Sequence, residues 1–347
     1  MKHQKLKVAI IGCGSVAEHG HLPAAAQNSE CEVTLLVDSN LRRAKQLADI
    51  YGVPTVSDDY REAPQRADGA IIALPHHLHA PLSCDLIKRG MHVLVEKPMA
   101  TSYAECQAML KAAQERGVVL AVGLIRRFLQ SARFVAWALR QGLLGQIKAF
   151  DVREGNVYSW PVQSDFFFRR ESAGGGVLLD TGAHTLDLLL WWLGDATSLE
   201  YYDDAYGGVE ADCKLYLTMM SGARGVIELS RTRNLRNTAI ITGERGAIEV
   251  HLRGNWVVLY DSDNTLGLSG RAFTDDSKEG KDQGFSDLFR PQLEDWLAAI
   301  RDRRPVAVPG TEACRSISLI EKCYLTRRHW NLPWVTPSEG QAAVLCA

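Results

Sequence analysis

A charged pair, Glu96-Lys97, stands directly after the short apolar run 92–95 and directly before Pro98. Such a run predicts a buried strand of a parallel sheet, and ligands bind beyond the carboxyl ends of such strands. Pro98 keeps Lys97 out of helical geometry. Most lysine side chains are solvated, but one held at a strand end between glutamate and proline is interpreted as positioned for a task. We therefore expect Lys97 to be a functional residue at a ligand-binding edge.

A second group of ionisable residues, Asp180, His184 and Asp187, interrupts a strongly apolar stretch. Their spacing of i, i+4 and i+7 places two carboxylates and an imidazole on one face of a helix. The surrounding leucines and tryptophans bury the rest of that helix, so the polar stripe borders a cleft or an internal network. A carboxylate neighbour supports the charged form of a histidine, and the pattern predicts a tuned acid/base at His184. No second histidine stands at ligand spacing, so we expect no metal.

A glycine-rich turn near the start of the chain has the spacing of a dinucleotide-binding loop. Gly12-x-Gly14-x-x-Ala17 stands between a predicted strand and a predicted helix. Gly12 permits the tight turn, Gly14 lets the backbone approach a pyrophosphate, and Ala17 lets helix and strand pack closely. The phosphates would meet the N-terminus of that helix. The predicted contacts of the turn are Gly12, Gly14, Ser15, Val16 and Ala17.

The acid that ends the second predicted strand bears on the choice of dinucleotide. Asp38 is expected to accept a hydrogen bond from the ribose 2′-hydroxyl and to repel a 2′-phosphate, which favours NAD over NADP. Arg42 and Arg43 follow at the start of the next predicted helix. Either guanidinium could accept a 2′-phosphate if it folds back toward the ribose, so NADP stays an alternative.

Strands and helices alternate over residues 1–122, which predicts a doubly wound parallel sheet in a first, dinucleotide-binding domain. Its predicted strands are 7–11, 32–37, 69–74, 92–95 and 118–122, and its predicted helices are 21–26, 41–51, 79–89 and 102–116. A second domain, residues 123–347, has longer alternating runs that favour an antiparallel sheet. Its predicted strands are 147–152, 213–219, 225–231, 239–242, 247–252 and 256–260, and its predicted helices are 131–140, 178–193, 294–301 and 311–326. The polar, glycine-rich segment 261–284 is predicted to be a surface loop.

Composition narrows the class of protein. The 347 residues include 39 Lys plus Arg against 41 Asp plus Glu, a net charge of −2 without a basic tract, so we expect no nucleic-acid partner. No run of 18 apolar residues and no export signal stands in the chain, so we expect no membrane span and a cytoplasmic location. The eight cysteines form no C-x-x-C pair and are expected to be reduced, with Cys346 exposed near the end of the sequence.

Taken together, these residues resemble the Gfo/Idh/MocA oxidoreductase family, which includes glucose–fructose oxidoreductase and inositol dehydrogenases. The resemblance covers nearly the whole chain and rests on the glycine turn followed by His21-Leu-Pro, on stretches 74–79, 90–100 and 174–187, and on the late helix pair. It implies an α/β Rossmann domain joined to an α+β domain with a large open, mainly antiparallel sheet. A sugar or polyol substrate would lie between the domains, and homodimers or homotetramers would form through the open sheet. The last two helices would pack back toward the Rossmann domain.

The resemblance also implies roles, position by position. Lys97 matches the family's active-site lysine, Asp180 its substrate-binding aspartate and His184 its general base. Pro75 and Glu96 would sit beside the nicotinamide and its ribose.

One departure lies in the motif that also supplies His79 as an expected cofactor contact. Many members have Thr-Pro-Asn where this chain has Leu74-Pro75-His76, so the contact made there by asparagine is open at His76. Arg126 and Arg127 resemble the family's arginine pair at the domain junction, as substrate contacts or as partners in interdomain ion pairs.

The implied reaction is hydride transfer between a nicotinamide and a secondary alcohol of a sugar, a sugar derivative or an inositol. His184 would accept the hydroxyl proton, Lys97 would donate a hydrogen bond to the developing oxyanion, and Asp180 would orient both. Aromatic side chains before the glycine-rich turn could wall a sugar ring or belong to the core, and two arginines there could serve an anionic substrate or be solvated. These residues are Tyr158, Trp160, Phe166, Phe167, Phe168, Arg169 and Arg170.

Two other functions remain open from the sequence. An NAD-dependent glycoside hydrolase of the same fold would use the same lysine and histidine. A non-catalytic NAD-sensing module would tolerate their loss, yet Lys97, Asp180 and His184 are all present. Fold alone does not decide between these functions.

Overall fold

A parallel sheet of six strands forms the first layer of the fold. The computed structural model describes residues 4–161, 164–262, 267–271 and 285–330. The sheet has the order β3-β2-β1-β4-β5-β6 with every neighbouring pair parallel. Its strands are β1 (Leu6–Ile11), β2 (Cys31–Val37), β3 (Val56–Ser57), β4 (Gly69–Ile72), β5 (His92–Val95) and β6 (Leu120–Val122). The doubly wound parallel sheet predicted from the sequence is confirmed.

The strand order reverses between β1 and β4, and this reversal positions the site. From β1 the chain winds outward through β2 to β3, and from β4 it winds the other way to β6. Loops that leave the carboxyl ends of β1 and β4 therefore separate and open a crevice between them. Both strands are buried on both faces, since Val8 to Ile11 and all four residues of β4 are inaccessible.

Helices cover both faces of this sheet. A wide π-type turn at Ala17–His21 leads into α1 (Leu22–Ala26), and the remaining helices are α2 (Leu41–Tyr51), α3 (Ala63–Arg66), α4 (His79–Lys88) and α5 (Tyr103–Arg116). Local sequence sets their ends. At α5, Ser102 Oγ accepts a hydrogen bond from the Glu105 amide, and the Glu105 carboxylate accepts one from the Ser102 amide. This reciprocal cap satisfies two amides that the helix start would leave without partners.

The second sheet has nine strands in the order β14-β13-β12-β11-β7-β10-β9-β8-β15. These strands are β7 (Ile147–Gly155), β8 (Ala196–Asp203), β9 (Asp212–Met219), β10 (Arg224–Ser230), β11 (Thr238–Gly243), β12 (Gly246–His251), β13 (Trp256–Asp261), β14 (Gly267–Arg271) and β15 (Arg327–His329). Six of the eight neighbouring pairs are antiparallel, which confirms a mainly antiparallel sheet, while β7 with β10 and β8 with β15 are parallel.

Three strands of this sheet escaped the sequence prediction. The strand β8 begins directly after the short connection Gly194-Asp195, and β15 has only three residues. The strand β14 lies at 267–271, inside the predicted surface loop 261–284, so the loop prediction is wrong for those five residues. Positions 263–266 and 272–284 of the predicted loop, and Cys346, lie outside the described residues.

Five further helices lie in the described part of the chain: α6 (Gln130–Arg140), α7 (Arg170–Ala173), α8 (Val177–Leu193), α9 (Phe289–Asp302) and α10 (Gly310–Leu325). The helix α8 lies on β9 and β10 of the second sheet, and α10 packs against both α8 and α5. The helix α9 packs against α1. No helix in the described ranges combines the length and apolar character that a bilayer crossing demands. The seven cysteines within those ranges are all unpaired.

Candidate active site

A cavity of about 920 Å³ opens at the carboxyl ends of the parallel strands. The first wall consists of the turns after β1, β4 and β5. The second wall comes from α8 and from segments that follow β7, β10 and β12. Leu288 and Phe289, at the start of α9, close one end.

The glycine turn after β1 has the geometry that a dinucleotide loop needs. Gly12 has φ +100°, and a Cβ there would lie 2.1 Å from the Ala73 carbonyl oxygen, so only glycine fits. At Gly14 a Cβ would meet no protein atom within 4 Å, which leaves the backbone accessible to a ligand. Ala17 is fully buried beneath the turn and outside the cavity lining, as close helix–strand packing requires.

Ser15 and Val16 both line the cavity. The Ser15 hydroxyl donates a hydrogen bond to the Pro161 carbonyl oxygen, which ties the glycine turn to the segment that follows β7. The turn is thereby joined to the second wall.

Asp38 anchors the glycine turn from the end of β2. Its carboxylate accepts hydrogen bonds from the Cys13 amide at 2.7 Å and from the Asn40 amide at 2.8 Å. Arg43 lines the same end of the cavity, where its Nε donates to the Cys13 carbonyl oxygen at 3.2 Å and its guanidinium pairs with Glu18.

Arg42 is exposed and lies outside the cavity lining. Of the two arginines considered for a 2′-phosphate, Arg43 alone faces the cavity, and Glu18 already neutralises it.

The motif after β4 contributes Leu74, Pro75 and His76 to the cavity lining. His76 is buried, with Nδ1 2.8 Å from the Ala173 carbonyl oxygen and its ring edge-on to Phe166 and Phe167. Because a carbonyl oxygen accepts, Nδ1 is the donor and Nε2 is left as an acceptor. Burial lowers the pKa of His76 to about 3, so the ring is neutral at physiological pH.

The structure corrects the expectation that His79 contacts a cofactor. His79 is 1% exposed and lies outside the cavity lining. Its Nδ1 is 2.7 Å from the Pro98 carbonyl oxygen and its Nε2 is 2.7 Å from the Leu74 carbonyl oxygen. Because both ring nitrogens are occupied, His79 braces the two loops that carry Pro75 and Lys97 from behind.

Glu96 faces the cavity but is already engaged. Its Oε1 lies 2.8 Å from His21 Nε2, and its Oε2 accepts a hydrogen bond from the Lys97 amide at 3.2 Å. The His21 ring stands edge-on to Phe289 at 4.8 Å. Gly123 makes room for this carboxylate, because a Cβ there would lie 2.8 Å from it. Glu96 therefore fixes the backbone from which the Lys97 side chain projects.

Lys97 and Asp180 meet across the cavity. Lys97 Nζ lies 2.5 Å from Asp180 Oδ1 and 3.2 Å from the Asp180 carbonyl oxygen. The other carboxylate oxygen, Oδ2, accepts a hydrogen bond from Arg231 at 2.8 Å. Although burial opposes it, the attraction of Lys97 and then Arg231 holds the pKa of Asp180 far below its usual range. Asp180 is thus an ionised carboxylate held between two cations.

The first turn of α8, which carries Asp180, is set by three consecutive glycines. A Cβ at Gly176 would lie 1.9 Å from the Glu210 carbonyl oxygen, so the chain passes Glu210 at a distance that only glycine allows. The Glu210 carboxylate accepts hydrogen bonds from the Gly176 and Leu178 amides, each at 2.9 Å, and from Tyr324 at 2.8 Å. A carboxyl group at a helix N-terminus satisfies amides that lack partners in the helix.

His184 stands one turn after Asp180 on α8 and lines the cavity. The sequence predicts that its aspartate neighbours support the charged imidazolium, and the structure corrects this. Burial and then the cations Arg126 and Lys97 lower the pKa of His184 well below its ordinary value, and they outweigh the two nearby carboxylates. Its Nδ1 is buried without a partner, so Nε2 is the nitrogen left facing the cavity. The ring is therefore neutral and able to accept a proton.

Asp187, the third ionisable residue of the stripe Asp180–His184–Asp187, pairs with Arg127 and not with His184. Its carboxylate accepts two hydrogen bonds from Arg127, at 2.6 and 2.8 Å, and both side chains are buried outside the cavity lining. Arg127 is thus in a buried ion pair with Asp187, both residues lying after position 122, rather than at a substrate.

Arg126 is also ion-paired but faces the cavity. It donates two hydrogen bonds to Glu154, at 2.7 and 2.9 Å. Glu154 is fully buried and also accepts from Arg253 Nε at 2.6 Å and from the Thr185 hydroxyl at 2.5 Å. These partners hold the pKa of Glu154 far below its usual range despite burial, so the carboxylate is charged.

The aromatic residues divide between wall and surface. Trp160, Tyr158, Phe166 and Phe167 line the cavity, whereas Phe168 is 53% exposed outside it. The Tyr158 ring also stacks under the Arg231 guanidinium at 5.2 Å, and its hydroxyl is buried without a partner.

The two arginines that follow, Arg169 and Arg170, are exposed and lie outside the cavity lining. Arg169 pairs with Asp165. Neither is placed to bind a substrate in this cavity.

Several polar residues of the cavity escaped the sequence prediction, among them Asn156, Arg231 and Arg253. The parallel pairing of β10 with β7 sets Ser230 opposite Gly155, so Arg231 and Asn156 leave the same sheet edge. A position just after a predicted strand was the available signal, but the sequence does not reveal that these two strands are neighbours. Within the described ranges, no group of three or more His, Cys, Asp or Glu side chains is arranged to hold a metal.

Two family models match the chain. A model described as an oxidoreductase family with an NAD-binding Rossmann fold matches residues 6–124. A model described as the C-terminal alpha/beta domain of the same oxidoreductase family matches residues 137–335. The first match covers the six-stranded sheet, and the second covers the nine-stranded sheet.

Curated relatives are oxidoreductases. D-Glucoside 3-dehydrogenase of Escherichia coli (strain K12) is 32% identical over 203 residues, 56% of this chain and 56% of that protein. A putative UDP-kanosamine synthase oxidoreductase subunit of Amycolatopsis mediterranei is 30% identical over 55% of this chain and 52% of its own. The chain thus spans about half the length of these two. The rhizopine catabolism protein MocA of Rhizobium meliloti is 27% identical over 91% of this chain and 93% of that protein.

Solved structures share the fold over nearly the whole chain. Levoglucosan dehydrogenase in complex with NADH and levoglucosan superposes with a TM-score of 0.83 at 20% identity, covering 93% of this chain and 97% of that one. Aldose-aldose oxidoreductase from Caulobacter crescentus, complexed with glycerol, gives a TM-score of 0.80 at 23% identity over 93% and 97%. At these identities the likeness concerns the fold.

Proposed function

Because this chain belongs to the Gfo/Idh/MocA oxidoreductase family, we propose that it is an NAD(P)-dependent dehydrogenase or reductase acting on a secondary alcohol of a sugar, a sugar derivative or an inositol. One observation carries the proposal. Lys97 and Asp180 meet within hydrogen-bond distance in the same cavity as a neutral His184, at the edge of the parallel sheet where dinucleotides bind.

The residues of the first wall fit a dinucleotide. Gly12 makes the tight turn, Gly14 leaves the backbone accessible, and Asp38 stands at the end of β2. Ser15, Val16 and Pro75 complete this part of the lining. When bound, the nicotinamide supplies the acceptor for the hydride that leaves the substrate carbon.

NAD is the proposed preference over NADP. The Asp38 carboxylate is free of any cationic partner among the described residues, so it repels a 2′-phosphate. Arg43 is the one cation beside it in the cavity lining, and Glu18 neutralises that guanidinium.

His184 is the proposed general base. Its neutral ring accepts the hydroxyl proton at Nε2 as the C–H bond breaks and the carbonyl C=O forms. The secondary alcohol thus loses a hydride and a proton and becomes a ketone. In the reducing direction His184 returns the proton.

Lys97 is proposed to contact the reacting oxygen of the substrate, and Asp180 is proposed to orient Lys97 and to bind another substrate hydroxyl. The Lys97 ammonium donates a hydrogen bond to the oxygen as negative charge develops there. Asp180 fixes Lys97 through the contact at 2.5 Å and offers its remaining acceptor capacity to a substrate hydroxyl. Arg231 holds Asp180 from its other oxygen, so the carboxylate keeps one orientation.

A homodimer or homotetramer through the open sheet is the proposed assembly. On β9, Cys213, Leu215 and Leu217 are buried, while Tyr216 on the opposite face is 44% exposed. A second copy on that face would cover Tyr216. We expect light scattering to show a dimer or larger, and Tyr216→Asp to lower the mass toward a monomer. A monomeric wild-type chain would contradict this assembly.

The proposed reaction is tested by absorbance at 340 nm with NAD or NADP against sugars, sugar phosphates, inositols and nucleotide sugars. We expect reduction with at least one alcohol and its loss in Lys97→Ala and His184→Ala. Lys88→Ala and His19→Ala, both exposed and outside the cavity lining, should keep the activity. Activity that survives in His184→Ala would contradict the base assignment. Tight NAD binding without turnover of any alcohol would contradict the dehydrogenase function.

A further inference from the structure

The substrate half of the cavity carries more positive than negative charge. Four cations line it: Lys97, Arg126, Arg231 and Arg253. Three carboxylates face them: Glu96, Glu154 and Asp180. Three of the four cations come from outside the parallel sheet that carries the glycine turn, and His184 lines the same cavity.

The hydrogen bonds among these groups show which of the cations still have positive charge that a ligand could neutralise. Asp180 divides its oxygens between Lys97 and Arg231, and Glu154 is saturated by Arg126, Arg253 and Thr185. Glu154 therefore has no capacity left to neutralise further guanidinium N–H groups, and Asp180 is already shared between two cations.

Two guanidinium groups keep free N–H donors toward the cavity. Arg231 uses one terminal nitrogen on Asp180, and Arg253 uses Nε on Glu154. Arg231 is 8% exposed, so its remaining charge is poorly hydrated, whereas Arg253 is 40% exposed at the cavity. A guanidinium with free terminal nitrogens matches the geometry of a carboxylate or phosphate.

Resting on the proposed function, we infer that the alcohol substrate carries a negatively charged group, a carboxylate or a phosphate, that binds Arg231 and Arg253. A neutral sugar would leave the excess positive charge of the cavity unpaired after it displaces water, which is unfavourable in a buried site. An anionic sugar neutralises that charge and forms charge-assisted hydrogen bonds. The same contacts would hold the ring carbon at a fixed position relative to His184 and Lys97.

The test compares matched pairs on the NAD-loaded enzyme. Glucose is paired with glucuronate and with glucose 6-phosphate, and galactose with galacturonate and galactose 6-phosphate. Binding is measured by calorimetry and turnover by absorbance at 340 nm. We expect at least one acid or phosphate to bind about tenfold or more tightly than its neutral partner, and its KM to rise with salt. Preference for the carboxylate or for the phosphate identifies the source of the anion.

Arg253→Gln supplies the matched variant, since Arg253 is partly exposed and Glu154 keeps its hydrogen bonds from Arg126 and Thr185 when it is replaced. The ratio of kcat/KM between the anionic and neutral members of a pair should fall about tenfold or more. Arg224→Gln, exposed at the start of β10 and outside the cavity lining, should leave that ratio unchanged.

Equal or weaker binding of the anionic member in every pair would overturn the inference, as would an unchanged ratio in Arg253→Gln. Anion binding without any hydride transfer would support the anion site and contradict the proposed function instead. The two failures are therefore distinguishable.

Discussion

Lys97 Nζ lies 2.5 Å from Asp180 Oδ1, and this contact joins the end of β5 to the first turn of α8. The two residues are 83 positions apart in the chain. Lys97 follows a strand of the parallel sheet, whereas Asp180 lies on a helix that packs against the second sheet, so the fold brings them together. Arg231 holds the other oxygen of Asp180 at 2.8 Å. The cavity thus presents an ammonium, a fixed carboxylate and a neutral imidazole to one ligand.

Gly14→Ala should weaken cofactor binding without changing the fold. A Cβ at Gly14 meets no protein atom within 4 Å, so the free energy of unfolding should stay within about 0.5 kcal/mol of wild type. The added methyl group would occupy space that we assign to the pyrophosphate. We expect the Kd for NADH, measured by fluorescence titration, to rise at least tenfold. Gly208→Ala, which also meets no protein atom within 4 Å but lies outside the cavity lining, should not change it. Equal affinities in the two variants would refute this placement.

The pH profile of turnover should show a base that stays neutral below pH 6.5. The pKa of His184 is lowered well below its ordinary 6.5 by burial and by Arg126 and Lys97, so the neutral ring persists as the pH falls through that value. A histidine of ordinary pKa would be only about a quarter neutral at pH 6. We expect kcat/KM at pH 6 to stay close to its value at pH 7.5.

Removing a cation tests the cause of that shift. Arg126→Gln should move the acid limb of kcat/KM toward neutral pH, because one group that lowers the pKa of His184 is gone. Arg140→Gln, which lies outside the cavity lining, serves as the control. A limb that stays in place in both variants would show that Arg126 does not set the pKa of the base.

The stability of the protein should fall in acid partly through His76. Burial lowers the pKa of His76 to about 3 in the folded state, against an ordinary value of 6.5. Between these values the unfolded chain binds the proton and the folded chain does not. The free energy of unfolding therefore falls as the pH drops below 6.5, by up to about 1.4 kcal/mol per pH unit for this residue.

His76→Asn should remove this contribution, and urea unfolding at pH 7 and pH 5 would measure it. The exposed neighbour His77, replaced by asparagine, is the control. The loss of stability between the two pH values should be smaller in His76→Asn than in His77→Asn. An identical loss would mean that His76 is not buried in its neutral form.

Asp187 should matter for stability rather than for the reaction. Asp187→Asn removes the buried carboxylate of this pair and leaves Arg127 only its contact with Glu312 at 3.3 Å; breaking a buried ion pair typically costs about 3–5 kcal/mol. Asp195→Asn, on an exposed carboxylate, should cost less than about 1 kcal/mol. We expect kcat per folded molecule to be unchanged in Asp187→Asn. A loss of kcat comparable to that of His184→Ala would place Asp187 in the chemistry.

The sequence predicted five of the six parallel strands because each of these is a short apolar run, and it missed the edge strand β3, which has only two residues. It also predicted that Lys97, Asp180 and His184 would be functional, from strand-end position and helical spacing. It could not predict that Asp187 pairs with Arg127, since one helix face does not show which neighbours pack against it. The state of His184 was likewise hidden, because it depends on burial and on cations from other elements.

Arg231 and Arg253 were missed for a related reason. Each follows a strand of the second sheet, and strand order in that sheet is set by long-range pairing. The parallel contact of β7 with β10, which brings Asn156 and Arg231 to one edge, has no local signature in the sequence.

In the proposed reaction a substrate hydride passes to the nicotinamide while His184 takes the hydroxyl proton. This reaction is tested most directly with a substrate deuterated at the carbinol carbon, chosen from the alcohol panel, and mass analysis of the reduced cofactor. We expect one deuterium per reduced cofactor with the wild-type enzyme and with His19→Ala, and a rate lowered about 100-fold or more in His184→Ala. Reduced cofactor without deuterium, or an unchanged rate in His184→Ala, would contradict the proposed reaction.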